Sequence, residues 1–452
     1  MDSLNLLTAT AVDLQTLLSA NKVNSVDLVN AYLKQTEKYN HYLKAVLQLA
    51  PKENLLKQAQ DLDHERAAGK VRGPLHGIPI LIKDNIAVHP DLGLRTTGGS
   101  FALAESIPRE NAAVVNKILR AGLIILGKAS LSELNYFKGI GLPCGWSALG
   151  GQTESPYVRG GYQKDDSPGG HSNCGGSSSG SGVSVAAGFA PFSLGAEAEG
   201  SLTMPATRAA LYTIKPTPGI VPGEGTIPFF PVVESVGPMT KCVKDLALLL
   251  DVLVDYTRTQ VPEGGYLSAM TDSFADLTIA AASPVDWYFD STFVKPDEEA
   301  TLQMNREILI VYEKLKSLAK GFHEDVPLPA LEGLDRNGAS CLDSMFKHNF
   351  KQNFESYLQG LEYSPVRTLQ ELVDYNRKNK DKALPPGYES QELLETALTY
   401  HLTPDEYDKT FSHMREWGRD KGIDYILQKY KADIIIGPAD SELTQFSAAS
   451  SK

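Results

Sequence analysis

The chain has 452 residues, of which 42% are hydrophobic and 22% are charged, so it can bury a large core as one domain or as two or three. Its formal net charge is −12, and no segment rich in lysine and arginine offers a basic surface, which excludes nucleic acid as the expected partner. No stretch approaches the roughly 18 apolar residues of a membrane span, and no secretion signal opens the chain, so a cytoplasmic protein is predicted.

Two helices are predicted at the N-terminus, forming a hairpin over residues 8–40. Thr10 begins the first, Ala11–Ser19, and Ser25 begins the second, 26–39, because both residues are of the type that caps helices. Apolar residues of the second helix repeat on one face. The apolar face of the hairpin is therefore expected to pack against the rest of the protein.

A strand, a helix and a second strand follow the hairpin. Residues 78–82 form an uninterrupted apolar run that ends at Lys83, which predicts a short buried strand. Helical spacing over 112–120 precedes another apolar run, 123–126, closed by a glycine. This alternation predicts α/β layering, with a sheet flanked by helices.

Periodicity predicts further helices at 243–254, 296–320 and 355–380. Between the two halves, residues 183–194 have the composition of buried structure, and 215–240 carry six prolines that fix the path of a loop. The later half contains no motif that indicates chemistry.

Residues 167–182 contain six glycines and six serines, a composition typical of a flexible linker. Their position argues otherwise, because they run directly into the buried segment 183–194 and a linker rarely opens into a core element. Glycines permit close backbone approach, and the serine hydroxyls offer nucleophiles and proton carriers. The segment is therefore a candidate for catalysis.

Ser201 follows a glycine at the end of a run of small residues, where successive backbone N–H groups can converge on an oxyanion. The alternative is a serine that caps a helix. No histidine is a convincing base, whereas Lys83 closes an apolar run, so its desolvation would lower its pKa. The alternative for Lys83 is a lysine that extends from a strand end to solvent.

Three landmarks resemble the amidase signature family in order and spacing. They are GPLHGIPILIKDN (73–85), GGSSSGSG (175–182) and EGSLTMPA (199–206), the last followed by KPTPG (215–219) and VGPM (236–239). The resemblance covers roughly residues 8–255 and is closer to the fungal amidases than to the fatty acid amide hydrolases.

The resemblance implies a catalytic trio of Ser201 as nucleophile, Ser177 as a proton relay preceded by an unusual cis peptide, and Lys83 as the final base. It also implies an oxyanion hole and a supporting hydroxyl. The oxyanion hole is formed by the backbone N–H groups of Ala198, Glu199, Gly200 and Ser201, and the supporting hydroxyl is that of Ser178.

The chain departs from the family pattern in three places. Glu199 stands where many members have glycine, and Ala196 and Ala198 replace threonines. Members also continue well beyond a strand like the one at 432–439, so strands of the C-terminal part are expected to be missing, which would leave a sheet edge that needs a partner.

Three alternatives stay open. Gly176 to Gly180 also fit the G-x-S-x-G motif of an esterase with Ser178 as nucleophile, although the polar residues 167–173 do not predict the strand that this motif requires. The second is a degenerate, non-catalytic binding protein. The third is the amidase component of a tRNA-dependent amidotransferase, which would need a partner protein to bind tRNA.

The predicted fold is α/β, with a mixed central β-sheet flanked by helices, and residues 1–452 form a single domain. Its parts are an N-terminal helical hairpin region at 8–70, a signature core at 71–255, a mainly helical insertion and cover at 256–430, and a truncated C-terminal strand at 431–452.

The predicted activity is hydrolysis of a small-molecule carboxamide to an acid and ammonia or an amine. No metal and no organic cofactor is implied, since no metal-binding pattern occurs and the four cysteines are expected to be reduced thiols. A homodimer is the assembly considered. By family analogy, residues 131–146 line the entrance, where Tyr136, Phe137 and Trp146 would favour an apolar acyl group, unless these rings belong to the core.

Overall fold

The computed structural model describes residues 4–451. The α-helices of this part of the chain are α1 (Ala11–Ser19), α2 (Ser25–Leu43), α3 (Lys52–Ala67), α4 (Ala113–Arg120), α5 (Ser179–Ala186), α6 (Thr203–Arg208), α7 (Val243–Leu253), α8 (Glu298–Leu318), α9 (Cys341–Gly360), α10 (Leu369–Lys378), α11 (Lys380–Ala383), α12 (Glu392–Thr399), α13 (Pro404–Arg415), α14 (Asp424–Tyr430) and α15 (Thr444–Ser450).

The strands of the same part are β1 (Val46–Leu49), β2 (Pro79–Lys83), β3 (Ile124–Ala129), β4 (Trp146–Ser147), β5 (Gly151–Gln152), β6 (Phe192–Glu197), β7 (Tyr212–Thr213), β8 (Ser235–Thr240), β9 (Thr278–Ala281), β10 (Gly321–His323), β11 (Asp335–Arg336), β12 (Ala339–Ser340) and β13 (Ile434–Ile436).

A six-stranded mixed sheet in the order β1-β3-β2-β6-β8-β7 organises the first half of the fold. Strands β3, β2 and β6 run parallel, while β1, β8 and β7 are antiparallel to their neighbours. Every residue of β2, β3, β6 and β8 is buried, as expected for strands covered on both faces. The predicted α/β class with a mixed central sheet is confirmed.

Helix α5 lies unusually close to the sheet because Gly180 has no side chain. A Cβ at this position would lie 2.3 Å from the carbonyl oxygen of Ala45 and 2.4 Å from the amide nitrogen of Ser130. The amide of Gly180 instead donates to the Ser130 carbonyl at 3.0 Å. This close contact fixes the beginning of α5, where the glycine- and serine-rich segment ends.

The two N-terminal helices form as predicted, with one shift at a helix start. The predicted hairpin packing does not form, because α2 lies mainly against α3 and α1 contacts α7. Thr10 caps α1 in a capping box, but α2 begins at Ser25 itself and is capped by Asn24. Asn24 accepts a hydrogen bond from the backbone of Asp27, so the asparagine has the role that the sequence suggested for the serine.

The second half of the chain is mainly helical around a small parallel sheet in the order β10-β9-β13. Helix α8 matches the predicted 296–320. The predicted helix at 355–380 is wrong, because the chain there breaks between α9 and α10. Pro365 lies in the break, and a proline disfavours helical geometry in the residue before it.

Segment 431–451 contains more than the single predicted strand. Strand β13 pairs in parallel with β9, and helix α15 follows it, while Lys452 lies outside the described residues. The absence of further strands and the division into four parts stay predictions. None of the helices within residues 4–451 combines the length and hydropathy needed to span a bilayer.

Candidate active site

Lys83 is the last residue of β2, and its side chain is fully buried. Its Nζ atom contacts the Ser177 Oγ atom at 2.7 Å and the Ala196 carbonyl oxygen at 3.1 Å. Burial lowers the pKa of Lys83 to about 7, against the opposing charges of Glu234 and Glu197. An amine with a pKa near neutrality can accept a proton at pH 7.

Ser177 lies two residues before the first residue of α5 and is fully buried. The peptide bond between Gly176 and Ser177 is cis. The Ser177 carbonyl accepts a hydrogen bond from the amide of Ser132 at 3.1 Å. Its hydroxyl is thereby held against Lys83, so the structure brings together two members of the predicted trio.

The Ser178 hydroxyl is occupied by the backbone of β6. It donates to the Ala196 carbonyl and accepts from the Ala196 amide, both at 3.2 Å. Residues 153–178, all of them described, contain no strand, so the strand-to-helix elbow that a G-x-S-x-G nucleophile requires is missing. Ser178 therefore supports the backbone around the site, and the esterase alternative has no structural basis.

Ser201 belongs to the loop 198–202 between β6 and α6, and hydrogen bonds attach this loop to the neighbouring chain. Glu197 Oε2 accepts from the amides of Leu202 and Thr203 at 2.7 and 2.9 Å. The Ser201 carbonyl accepts from the Ser178 amide at 3.0 Å, and the Ala198 carbonyl accepts from Lys215 Nζ at 2.8 Å. The loop is therefore held from both ends.

The amide N–H groups of residues 198–201 have no acceptor among the described residues. Gly200 has a φ of 71°, which turns the chain so that successive N–H groups can share one side of the loop. Helix α6 begins at Thr203 and its cap position is Leu202, so the alternative of Ser201 as a helix cap is wrong. These free donors suit an oxyanion.

A cavity of about 370 Å³ joins these groups. Ser177, Ser201 and residues 198–200 line it, whereas Lys83 lies behind Ser177. No hydrogen bond joins the Ser177 and Ser201 hydroxyls. Much of the remaining wall is aromatic and consists of Tyr136, Phe137, Phe229, Phe289, Phe293 and Phe346.

The profile of the Amidase family matches residues 27–447. The chain belongs to the amidase family. It is 31% identical over 95% of its length to a probable amidase from Arabidopsis thaliana and over 93% to a putative amidase from Schizosaccharomyces pombe, of which it spans 79% and 72%.

Two further proteins that resemble this amidase are named after different substrates. The chain is 33% identical over 94% of its length to a glutamyl-tRNA(Gln) amidotransferase component from Staphylococcus aureus and spans 81% of that protein. The crystal structure of the peptide amidase from Stenotrophomonas maltophilia superposes with a TM-score of 0.79 at 28% identity, over 98% of this chain and 88% of that one. The amidase is thus a hydrolase that acts on amides.

The entrance predicted from residues 131–146 of the amidase is only partly right. Tyr136 and Phe137 line the cavity. Trp146 does not, because its ring stacks on Tyr388 at 4.5 Å and lies under the Lys138 ammonium. A ring at the surface of a pocket and a ring in the core have the same sequence pattern, so only the packing distinguishes them.

Apart from Glu199, the acidic residues that line the cavity of the amidase were not predicted from the sequence. Glu234 precedes β8, Asp343 lies in α9, and Asp290 and Glu442 come from two loops. Burial raises the pKa of Glu234 to about 7. No spacing in the sequence connects residues that lie in such distant parts of the chain, so no local signal reveals this group.

Proposed function

We propose that this amidase cleaves carboxamides through an acyl-enzyme, with Ser201 as nucleophile, Ser177 as proton relay and Lys83 as base. The observation that carries the proposal is the 2.7 Å contact between Lys83 and Ser177 behind a cavity that Ser201 also lines. A base with a pKa near 7, a buried hydroxyl and an accessible serine are the parts that nucleophilic catalysis requires.

In the acylation step, the Ser201 oxygen attacks the carbonyl carbon of the amide. Its proton passes to the Ser177 oxygen while the Ser177 proton passes to the neutral amine of Lys83. The negative charge that develops on the carbonyl oxygen is bound by the free amide groups of Ala198, Glu199, Gly200 and Ser201.

The same relay then runs in reverse. The Lys83 ammonium returns a proton through Ser177 to the leaving nitrogen, so the C–N bond breaks and ammonia or an amine departs. Water next attacks the Ser201 ester and its proton passes through Ser177 to Lys83. The ester bond then breaks, the same proton returns through Ser177 to the Ser201 oxygen, and the acid is released. The relay requires the two serine hydroxyls to hydrogen-bond when substrate is bound, and such contacts often tighten only in the substrate complex.

Covalent labelling with a fluorophosphonate probe, read by intact mass, tests this proposal. We expect one adduct on the wild type, none on Ser201→Ala, and much slower labelling of Lys83→Ala. Ser273→Ala, which changes an exposed serine, is the matched control and should label like the wild type. An adduct that persists in Ser201→Ala and disappears in Ser178→Ala would refute the assignment. A folded wild type that neither labels nor hydrolyses any amide would favour the non-catalytic alternative.

The likeness to an amidotransferase component supports a second candidate, in which the substrate is glutamine and the ammonia passes to a partner protein. The net charge of −12 means that such a partner would have to supply the tRNA contacts. Release of ammonia from glutamine, with no hydrolysis of a simple amide such as hexanamide, would favour this candidate.

A further inference from the structure

The cavity has a strongly acidic wall. Its carboxylates come from Glu199, Glu234, Asp290, Asp343 and Glu442. Among the described residues that line it, none is a lysine, an arginine or a histidine. A concave surface of one sign concentrates the field of its charges, so it attracts a ligand of opposite sign.

Most of these carboxylates have no ion-pair partner among the described residues. The exception is Asp343, whose carboxylate contacts Lys347 Nζ at 2.6 Å. Glu442 Oε1 accepts only the amide of Asp290, at 3.1 Å, and the Asp290 carboxylate accepts from Thr292. The Glu199 side chain makes no hydrogen bond with a described residue.

The carboxylates also repel one another. Burial, together with the negative charges of Glu197, Glu442 and Asp343, raises the pKa of Glu199 to about 7 against the opposing effect of Lys215. Burial and the charge of Asp290 raise the pKa of Glu442. A bound cation would relieve this repulsion, which is a favourable term that a neutral ligand cannot supply.

The cavity is a ligand site independently of its charges. Ser177 and Ser201 line it together with the unsatisfied amides of 198–201. Asn135, another lining residue, has a buried Oδ1 atom with no hydrogen-bond partner among the described residues. Buried donors and acceptors are normally paired. We therefore expect these hydroxyl, amide and carbonyl groups to hydrogen-bond to polar groups of a ligand.

Aromatic rings stand beside the carboxylates. Phe289 and Phe293 flank Asp290 in the same loop, with ring centroids 5.2 Å apart, and Phe293 lies 6.3 Å from Tyr136. Such rings bind a hydrocarbon arm, and their faces attract an organic cation. A metal ion is a poorer fit, since no three of the acidic, histidine or cysteine side chains in residues 4–451 are placed to share one.

We propose that the preferred substrates are amides whose acyl part carries an ammonium or guanidinium group on an apolar or aromatic arm. Glu442 and Asp290 bind the charge, the rings of the cavity bind the arm, and the amide lies at Ser201. This assignment of substrate class rests on the proposed function, because it takes Ser201 as the point of attack.

Two isosteric amides test the proposal by calorimetric binding to Ser201→Ala, which does not turn them over. The cationic probe is para-(aminomethyl)benzamide and the neutral one is para-ethylbenzamide. We expect the cationic amide to bind at least about tenfold more tightly, a factor that one well-placed charge pair supplies. The same preference should appear in kcat/KM of the wild type, and added salt should weaken it.

Glu442→Gln and Asp290→Asn, each made in the Ser201→Ala background, should lower the preference to about threefold or less. Asp61→Asn is the matched control, because it removes one carboxylate from the exposed face of α3 and should leave the preference unchanged. Equal affinities for the two amides, or a preference that survives both cavity variants, would overturn the proposal. Continued amide hydrolysis by Ser201→Ala would instead contradict the proposed nucleophile, and the ratio of affinities would still decide the substrate class.

Discussion

The lowered pKa of Lys83 predicts how the free energy of unfolding depends on pH. Its pKa falls from an ordinary value of 10.5 to about 7 in the folded protein because the side chain is removed from water. Between these two values the unfolded chain binds more protons at this lysine than the folded chain does, so the free energy of unfolding rises with pH. The slope is about 1.4 kcal/mol per pH unit for one group.

The perturbation is Lys83→Met, which removes the titrating amine from a buried position and retains an unbranched side chain. From pH 7.5 to 9.5 the wild type should gain about 3 kcal/mol of stability relative to this variant. Below the folded pKa the wild type has to bury a charge, so the variant should be the more stable of the two there. Lys128 and Lys241, whose pKa values are also lowered by burial, occur in both proteins and cancel in the difference.

Urea denaturation of both proteins at several pH values between about 6.5 and 9.5 measures this difference. Lys34→Met, which alters an exposed lysine on α2, is the matched control and should follow the wild type at every pH. A difference between wild type and Lys83→Met that stays constant across this range would refute the reasoning, because it would mean that Lys83 keeps its proton throughout.

Three further outcomes follow from the packing and charges. Glu234→Gln should move the acid limb of the kcat/KM profile to lower pH, because the Glu234 charge raises the pKa of Lys83; a limb that moves upward would contradict this. Gly180→Ala should destabilise the fold by about 2 kcal/mol or more in denaturant titrations, since its Cβ would strike two backbone segments. Gly360→Ala, with open space around the new methyl group, is its control and should be neutral. Phe354→Ala, in a fully buried position, should lower stability by about 3 to 5 kcal/mol, and a loss below about 1 kcal/mol would indicate that the core around Phe354 is loosely packed.

Local patterns predicted the first half of the fold well. The apolar run that ends at Lys83 became β2, and the alternation of strand and helix became the central sheet. Prediction was weaker in the second half. The periodicity of 355–380 continued through a break at Pro365, because amphipathic spacing is the same for one helix and for two that pack on the same core.

The residues of the candidate site also differ in whether local patterns predicted them. Lys83, Ser177 and Ser201 were found because they lie in three motifs whose order and spacing resemble a family. The structure added the geometry of these groups, which is a 2.7 Å contact between Lys83 and Ser177 and four amides, at 198–201, that have no acceptor among the described residues. It also showed that Trp146 stacks on Tyr388 rather than lining the cavity.

The sequence by itself determined the α/β class, the position of the buried lysine and the serines on which the proposed chemistry depends. These are local properties, since a strand, a glycine-rich turn and a small-residue loop each depend on a few consecutive residues. Only the tertiary structure decided the charge of the cavity. Glu199, Asp290 and Glu442 are far apart along the chain, and whether carboxylates share a pocket or face solvent depends on how distant segments pack together.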